Sequence, residues 1–278
     1  MKAFCAVLGS IAVLLLLYFF FLLCRTRRPE AKALLRLPFA HRGLHTESVP
    51  ENSLAAFRAA VEAAVGIELD VQLSSDGVLM VFHDETLLRM TGKEGKLSDY
   101  TCAELTRMRL KGSEETIPTF EEVLSVVGGR VPLLVEVKYH NRIGETCLKT
   151  AELLDGYEGA YLVESFHPLA VRWFAKHRPQ VVRGQLASAA CKEKFTLSNF
   201  AVDSMLLNFL GRPDFIAYAV RDKGHFPFLF AKLWRPYTVA WTVKTADDLL
   251  SAKGFDQIIF ETITAQEALG LFASKENT

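Results

Sequence analysis

Three carboxylates stand where apolar runs of this sequence end. Glu68 and Asp70 are two residues apart in IELDVQL, and Glu136 lies in PLLVEV. Residues two apart on a strand share a face, so Glu68 and Asp70 are expected to point to the same side. Charged groups inside a small core are costly unless they are paired or bind a metal. An oxygen-only set suits Mg²⁺ or Ca²⁺, and the His/Cys spacing typical of zinc ligands is absent from the sequence.

Two histidines and two cations accompany these carboxylates. His41 and Arg42 close the first apolar run, His83 follows VLMVF, and Lys138 comes two residues after Glu136. Together with a metal, Arg42 and Lys138 can hold the oxygens of a phosphoryl group, while the histidines exchange protons near neutral pH. The combination is typical of phosphodiester hydrolysis, which needs charge neutralisation, a base and an acid.

Each of these residues also has a structural interpretation. A single histidine such as His41 is more often structural than catalytic, Glu136 and Lys138 can form an ordinary strand salt bridge, and His83 can end a hairpin. Trp241 suits either the core or an apolar platform for the organic part of a substrate. Their joint position at strand ends favours catalysis, because structural residues would scatter over both rims of a barrel.

The elements that position these residues alternate between short apolar runs and longer amphipathic stretches. Such units predict an α/β fold of parallel strands joined by helices, and eight of them favour a closed TIM (β/α)8 barrel. The predicted strands cover 37–40, 67–73, 132–137, 160–164, 181–184, 204–209, 237–243 and 256–261. The absence of G-x-G-x-x-G after the first strand argues against dinucleotide binding.

One further run departs from this alternation. Residues 78–83 follow the second strand after only four residues, too few for a helical crossover. We therefore expect an antiparallel hairpin in which His83 lies opposite Glu68. Residues 85–118 are then predicted to form an inserted loop and helix over the barrel mouth.

The N-terminal segment predicts a membrane anchor. Residues 4–23 are uncharged and apolar over about the 20 residues that cross a bilayer core as a helix. A cleaved signal peptide is the alternative, but the run is long and lacks an A-x-A-like site. We expect a transmembrane anchor (1–24), a basic juxtamembrane linker (25–36) and the barrel (37–278).

Charge and cysteine content add a topology and a class of partner. Arg25, Arg27 and Arg28 follow the apolar run while Lys2 alone precedes it, which predicts a single-pass membrane protein with a cytoplasmic catalytic domain. The odd set of cysteines beyond the anchor, which includes Cys191, agrees with reduced thiols. Zero net charge and no long basic run argue against nucleic acid. The expected partners are a small phosphodiester or lysolipid and the membrane.

Seven sequence blocks carry a resemblance to a known family. They are FAHRG (39–43), PENSLAAF (50–57), GIELDVQLSSDGVLMVFHDETLLRMTG (66–92), IPTFEEVL (117–124), LLVEVK (133–138), ESFHP (164–168) and WTV (241–243). On these blocks the sequence resembles the glycerophosphodiester phosphodiesterases over essentially all of residues 37–265. Together the blocks are far more specific than any one motif.

The resemblance implies a role for each site residue. His41 and His83 are general acid and base, Arg42 and Lys138 contact phosphate, and Glu51 steadies Arg42. The implied ligands of a divalent metal, Mg²⁺ or Ca²⁺, are Glu68, Asp70 and Glu136.

Two segments depart from the family pattern. Lys244 stands where the family commonly has Asn, and FDQIIFE (255–261) lacks the usual Gly after the Asp and the usual final Asp. Neither touches the implied metal or histidine positions. They leave open how the pocket around the leaving group is built.

We therefore expect metal-dependent hydrolysis of a glycerophosphodiester to glycerol 3-phosphate and an alcohol. One alternative is a lysophospholipase D acting on membrane lysolipids, with the inserted loop forming part of an apolar groove. The other is a membrane-anchored binding protein that has lost turnover, against which the intact pair of His41 and His83 argues. The headgroup and the metal in use are left open.

Overall fold

The computed structural model of the chain describes residues 2–140, 142–189 and 196–273. Cys191, predicted to be a reduced thiol, lies outside these residues. Four other cysteines, Cys5, Cys24, Cys102 and Cys147, are free thiols.

Nine strands are present in the described part of the chain and form one sheet. They are Phe39–Ala40 (β1), Gly66–Leu73 (β2), Leu79–Val81 (β3), Leu133–Val137 (β4), Tyr161–Ser165 (β5), Arg183–Ala187 (β6), Phe215–Ala219 (β7), Tyr237–Val243 (β8) and Gln257–Phe260 (β9). Because β1 pairs in parallel with both β2 and β9, every strand except β3 belongs to a closed ring. The predicted TIM barrel is therefore confirmed.

Helices connect the strands and surround the ring. They are Lys2–Phe21 (α1), Pro29–Leu34 (α2), Leu54–Glu62 (α3), Leu88–Thr91 (α4), Cys102–Leu105 (α5), Phe120–Val127 (α6), Ile143–Asp155 (α7), Pro168–His177 (α8), Leu197–Asp203 (α9), Asn208–Gly211 (α10), Phe226–Ala231 (α11), Ala246–Ser251 (α12) and Ala265–Ala273 (α13). Local sequence sets several boundaries. Ser53 caps α3 by accepting from the N–H of Ala56, and Thr119 and Glu122 form a capping box at α6, which Gly128 ends at φ +53°.

One predicted strand is wrong. Residues 204–209 form a loop and the start of α10, and the sixth strand of the ring is instead β7, which pairs with β6 and β8. Met205 has φ +52°, which an extended strand does not allow. A short apolar run does not by itself distinguish a strand from a buried loop, and this explains the error.

The predicted hairpin between β2 and β3 is present, but its register differs by one residue. Continued along the strand, the observed pairing places His83 opposite Leu69 rather than Glu68. The cause is a three-residue loop with Gly77 at φ +79°, a hairpin connection that needs glycine in the left-handed region. His83 still reaches the barrel mouth.

The insertion after β3 has an apolar core of its own. It contains α4, α5 and a short 3-10 helix at Leu97–Asp99. The buried side chains that pack together here are Met80, Phe82, Leu87, Met90, Leu97, Leu105, Leu110 and Ile117. The insertion is thus a small folded unit at the rim of the barrel.

The segment between α1 and β1, which the sequence predicts to be a linker, covers the N-terminal ends of the barrel strands. Ala31 and Leu35 are buried and belong to the apolar cluster inside the ring. Arg28 Nε donates to Asp214 directly before β7 at 2.8 Å, and Gln257 at the start of β9 donates to Leu35 O at 2.9 Å. We call α2 and these contacts the barrel floor.

Helix α1 is long and apolar enough to cross a bilayer. Its Phe4–Phe21 stretch has a mean hydropathy of 2.6, and none of those residues is fully buried. Its last turns contact the barrel, where Tyr18 stacks on Phe230 at 5.6 Å and Phe19 on Trp234 at 4.4 Å. The helix therefore has an exposed apolar part and a docked end.

Candidate active site

The residues predicted to do chemistry meet at the C-terminal ends of the barrel strands, as expected for this architecture. A pocket of about 250 Å³ lies there. Its lining includes His41, Arg42, Glu68, His83, Glu136, Glu164, Trp241 and Lys244. The other predicted residues, Asp70, Lys138 and Glu51, contact members of this set.

The three predicted metal ligands form a buried acidic cluster. One oxygen from each of Glu68, Asp70 and Glu136 lies within 4.8 Å of the others. Strand register explains this, since Asp70 on β2 is directly beside Glu136 on β4. Burial and the charges of its two neighbours raise the pKa of Glu68 well above 4.5. Carboxylates this close together in a buried site repel one another, and a bound cation would relieve that repulsion.

Lys138 neutralises part of this charge. Its ammonium nitrogen lies 2.7 Å from Asp70 Oδ1 and 2.8 Å from Glu136 Oε1. Burial alone would lower the pKa of Lys138, but these carboxylates outweigh burial and raise it. Lys138 is therefore charged at neutral pH. The salt bridge between Glu136 and Lys138 that the sequence suggested is present. Lys138 also contacts Asp70, a second member of the acidic cluster.

Glu164 is a fourth buried carboxylate at this level. It is the register partner of Glu136 on β5, and burial together with Glu68 and Glu136 raises its pKa well above 4.5. Its Oε2 has no hydrogen-bond partner among the described residues. Its place at the end of the ESFHP strand was the sequence signal, but it is not among the predicted ligands. An orphaned carboxylate oxygen beside an oxygen-only donor set fits a hard divalent cation.

His41 is held by a residue that the sequence did not identify. Its Nδ1 lies 2.7 Å from Glu261 Oε2, at the end of β9. Burial lowers the pKa of His41 to about 4, although the hydrogen bond to Glu261 acts in the opposite direction. The bond to His41 in turn lowers the pKa of Glu261 to about 2. The imidazole is therefore neutral at pH 7 beside an ionised carboxylate.

The two departures from the family pattern meet at this point. Lys244 Nζ lies 3.2 Å from Glu261, the final residue of FDQIIFE. His45 is also near, with Nε2 4.0 Å from Glu261, so His41, His45 and Glu261 make a second conceivable metal group. The ammonium of Lys244 would oppose a cation there. The acidic cluster of Glu68 is the better metal site.

His83 has a carboxylate partner of its own. Its Nδ1 lies 2.7 Å from Asp84 Oδ1. Asp84 also accepts from Arg89, Arg89 donates to Glu51, and Glu51 accepts from Arg42 Nη1 at 2.7 Å. This chain of ion pairs ties His83 to Arg42 through the insertion. It includes the Glu51 contact that the resemblance implies.

Arg42 is in an unusual backbone conformation. Its φ is +55°, in the left-handed region that costs energy for a residue with a Cβ. The same conformation lets its backbone N–H donate to Glu68 Oε2 at 2.9 Å. Arg42 therefore contacts the acidic cluster through its backbone and Glu51 through its side chain.

Trp241 forms an apolar wall of the pocket. Its ring meets Phe166 edge to face, with centroids 5.4 Å apart. Its buried indole N–H has no acceptor among the described residues. Trp241 can therefore offer a substrate both an apolar surface and one donor.

Comparison with known proteins places this site in a family. The model of the glycerophosphoryl diester phosphodiesterase family matches residues 41–207. A glycerophosphodiester phosphodiesterase of Caldanaerobacter subterraneus subsp. tengcongensis is 35% identical over 174 residues, 58% of this chain and 71% of that protein. Another from Bacillus altitudinis is 40% identical over 155 residues, 51% of this chain and 63% of that protein.

A solved structure agrees on the fold. An Oleispira antarctica phosphodiesterase, in complex with the product sn-glycerol-3-phosphate, superposes with a TM-score of 0.70. The match covers 88% of this chain and 99% of that one at 22% identity. The architecture and these relatives together define a hydrolase of phosphoric diesters. The chain belongs to the glycerophosphoryl diester phosphodiesterase family, which confirms the resemblance predicted from the sequence blocks.

Proposed function

We propose that the protein hydrolyses glycerophosphodiesters to glycerol 3-phosphate and an alcohol with the help of a divalent metal. The observation that supports this most strongly is the pairing of two histidines with a buried acidic cluster in one pocket. His41 and His83 each bind a carboxylate through Nδ1, which leaves Nε2 for proton transfer. A binding protein would have no use for two such couples.

The metal would be held by Glu68, Asp70 and Glu136, whose oxygen-only chemistry suits Mg²⁺ or Ca²⁺. When bound, the metal neutralises the charge on the phosphoryl oxygens and polarises phosphorus toward attack. Arg42 lines the same pocket and adds a second cation for those oxygens. Lys138 stabilises the cluster through its two short contacts with Asp70 and Glu136.

The histidines divide the proton transfers. Water attacks phosphorus and gives a proton to a base, while the leaving alkoxide takes a proton from an acid. A neutral imidazole suits the base, and burial keeps His41 neutral at pH 7. His83 then serves as the acid. Glu261 and Asp84 orient the two rings and stabilise their charged forms.

The direct test is metal-dependent product release by the full-length protein in detergent. Glycerophosphocholine, glycerophosphoethanolamine and glycerophosphoglycerol are offered in turn, and glycerol 3-phosphate is measured with Mg²⁺, with Ca²⁺ and with a chelator. Chelator-sensitive release from any of them supports the proposal. Release that survives metal removal contradicts metal dependence, and no release from any substrate supports the alternative of a binding protein.

We also propose that α1 anchors the protein in a membrane with the barrel in the cytoplasm. The mean hydropathy of 2.6 over Phe4–Phe21 supports the anchor, and the arginines that follow support the orientation. A reporter fused to the C-terminus should be active only in the cytoplasm. Activity on the other side of the membrane would overturn the orientation, and full recovery of the protein in the soluble fraction would overturn the anchor.

A further inference from the structure

A second, larger cavity adjoins the catalytic pocket. Its volume of about 590 Å³ lies within the range of about 300–1,000 Å³ typical of sites for organic ligands. Its apolar lining residues include Tyr139, Phe166, Leu169, Val202, Leu207 and Leu210. Phe166 also lines the catalytic pocket, where it contacts Trp241. The two spaces therefore adjoin at Phe166, and we call the larger one the side cavity.

The side cavity lies between the ends of β5 and β6 and the segment formed by α9 and α10. The inserted loop after β3 contributes none of the described lining residues of this cavity. Ser188, Asn199 and Asp203 add polar groups to the lining. The cavity is thus an apolar space with a polar margin, open beside the reacting centre.

The segment that lines this cavity also docks the apolar helix. Leu207 and Leu210 face the cavity, while Phe209 between them contacts the rings of Phe20 and Phe21 at the end of α1. The helix that we propose as a membrane anchor and the wall of the side cavity are therefore packed against each other.

Helix α1 points from the barrel floor toward the catalytic mouth. Helix α11 follows β7, so it begins at the mouth with Phe226 and leads down to Trp234 before β8. Tyr18 stacks on Phe226 at 6.1 Å, and Phe19 stacks on Trp234 at 4.4 Å. The chain then reaches the floor at Arg25. Residues before Tyr18 consequently project beyond the mouth.

The continuously exposed part of α1 is shorter than a bilayer core. Phe4–Leu17 is a continuous run of 14 exposed residues. At about 1.5 Å per residue it spans about 21 Å, less than the roughly 30 Å of the hydrocarbon core. The rim of the barrel must therefore approach the membrane. Exposed apolar side chains suit that position: Leu169, Leu197, Phe200 and Phe226.

We propose that the side cavity binds the acyl chain of a lysoglycerophospholipid taken from the bilayer, so that the preferred substrate is a single-chain lipid. This inference rests on the proposed phosphodiesterase activity and names its substrate class. Water adds to phosphorus and the bond between phosphorus and the headgroup oxygen breaks. The products are an acylglycerol 3-phosphate and the headgroup alcohol, which leaves protonated. The acyl chain stays in the side cavity past Phe166.

The test compares substrates that differ only in the chain. Full-length protein in nanodiscs of galactolipid, which holds no phosphodiester, is given glycerophosphocholine, hexanoyl-lysophosphatidylcholine and octanoyl-lysophosphatidylcholine below their micellar concentrations. Choline release gives kcat/KM for all three. Each buried methylene contributes about fourfold, so the octanoyl lipid should exceed the hexanoyl lipid by about 16-fold.

Substitutions in the side cavity test whether the dependence of kcat/KM on chain length arises there. Leu210→Asp places a charge in the side cavity, and Ala201→Trp, at another residue that lines it, fills it. Both should lower kcat/KM for the octanoyl lipid at least tenfold and leave kcat/KM for glycerophosphocholine unchanged. Leu250→Asp, an exposed leucine on α12, is the matched control and should change neither. Equal kcat/KM for all three substrates in the unaltered protein overturns the acyl site alone. No choline from any substrate, together with no glycerol 3-phosphate from the three glycerophosphodiesters of the direct test, overturns the proposed function itself.

Discussion

At the scale of single residues, each histidine in the pocket forms a hydrogen bond with a carboxylate. Glu261 binds His41 and Asp84 binds His83, both through Nδ1 at 2.7 Å. A carboxylate in that position fixes the tautomer and stabilises the protonated ring. The environments differ, because Glu261 also contacts Lys244 whereas Asp84 belongs to a chain of ion pairs. Both rings thus bind a carboxylate through Nδ1, but the groups around the two carboxylates differ.

Removal of either histidine should stop turnover. His41→Ala and His83→Ala each delete a proposed proton-transfer group, and such a group is worth about 10²–10⁴ in rate. Metal binding and the unfolding transition should stay unchanged, as calorimetry and circular dichroism would measure. His177→Ala, at an exposed site on α8, is the control. A variant of His41 or His83 with near-normal kcat would remove that residue from the mechanism.

Glu261 should control the pH profile through His41. Its hydrogen bond and charge raise the pKa of His41 against burial, so Glu261→Gln should lower that pKa below about 4. With His41 as the proposed base, activity is lost as the ring is protonated at falling pH, so the acidic limb of kcat/KM should move to lower pH. The loss of orientation should also reduce kcat about 10–100-fold. Glu62→Gln, on the exposed end of α3, should leave the profile in place; an unmoved limb in Glu261→Gln would contradict the positioning role.

At the scale of elements, strand register brings buried carboxylates together. Asp70, Glu136 and Glu164 occupy one level across β2, β4 and β5. Parallel pairing with aligned C-terminal ends therefore turns three separate sequence positions into one site. The cost of this concentration of charge is visible in the raised pKa values of Glu68, Glu136 and Glu164.

Metal binding should release protons. Without metal, the raised pKa values of Glu68 and Glu164 mean that the folded protein keeps protons above pH 4.5 that the unfolded chain has lost. Its stability should therefore fall as pH rises from 4.5 through those pKa values. A cation replaces the protons, so metal affinity should increase over the same range. Calorimetry in buffers of different ionisation enthalpy measures the released protons, and an affinity that stays flat from pH 5 to 8 would refute the coupling.

Much of the barrel can be predicted from sequence because alternating apolar runs and amphipathic helices are local signals. Residues 204–209 mislead because a short apolar run lacks the periodicity that separates a strand from a buried loop. The pairing of Glu261 with His41 could not be predicted because the two are 220 positions apart and meet only when β1 pairs with β9. The side cavity depends on how α9 and α10 pack, which no local pattern encodes.

At the scale of the whole molecule, the N-terminal segment is part of the fold. The barrel floor closes the end of the ring opposite the catalytic mouth, with Ala31 and Leu35 inside the apolar cluster. Arg28 and Arg27 form ion pairs with Asp214 and Asp256, which precede β7 and β9. Deleting everything before β1 would therefore expose the floor end of the barrel as well as remove α1.

A single change in the floor should weaken the whole barrel. Leu35→Ala removes a buried side chain and should lower the free energy of unfolding by about 2–5 kcal/mol. Denaturant unfolding of the full-length protein in detergent measures this. Leu250→Ala, at an exposed site, should change the free energy of unfolding by less than about 0.5 kcal/mol. Equal stability of the two variants would show that the floor adds nothing to the barrel.

The floor also sets an order of events during synthesis. Its hydrogen bonds and those of the docked helix join residues 186 to 229 positions apart, from Tyr18 with Ser204 to Arg27 with Asp256. The ribosome makes the apolar helix first and its docking partners almost last. The helix is therefore complete while the barrel is still unfinished, and the ring closes only after β9 has emerged.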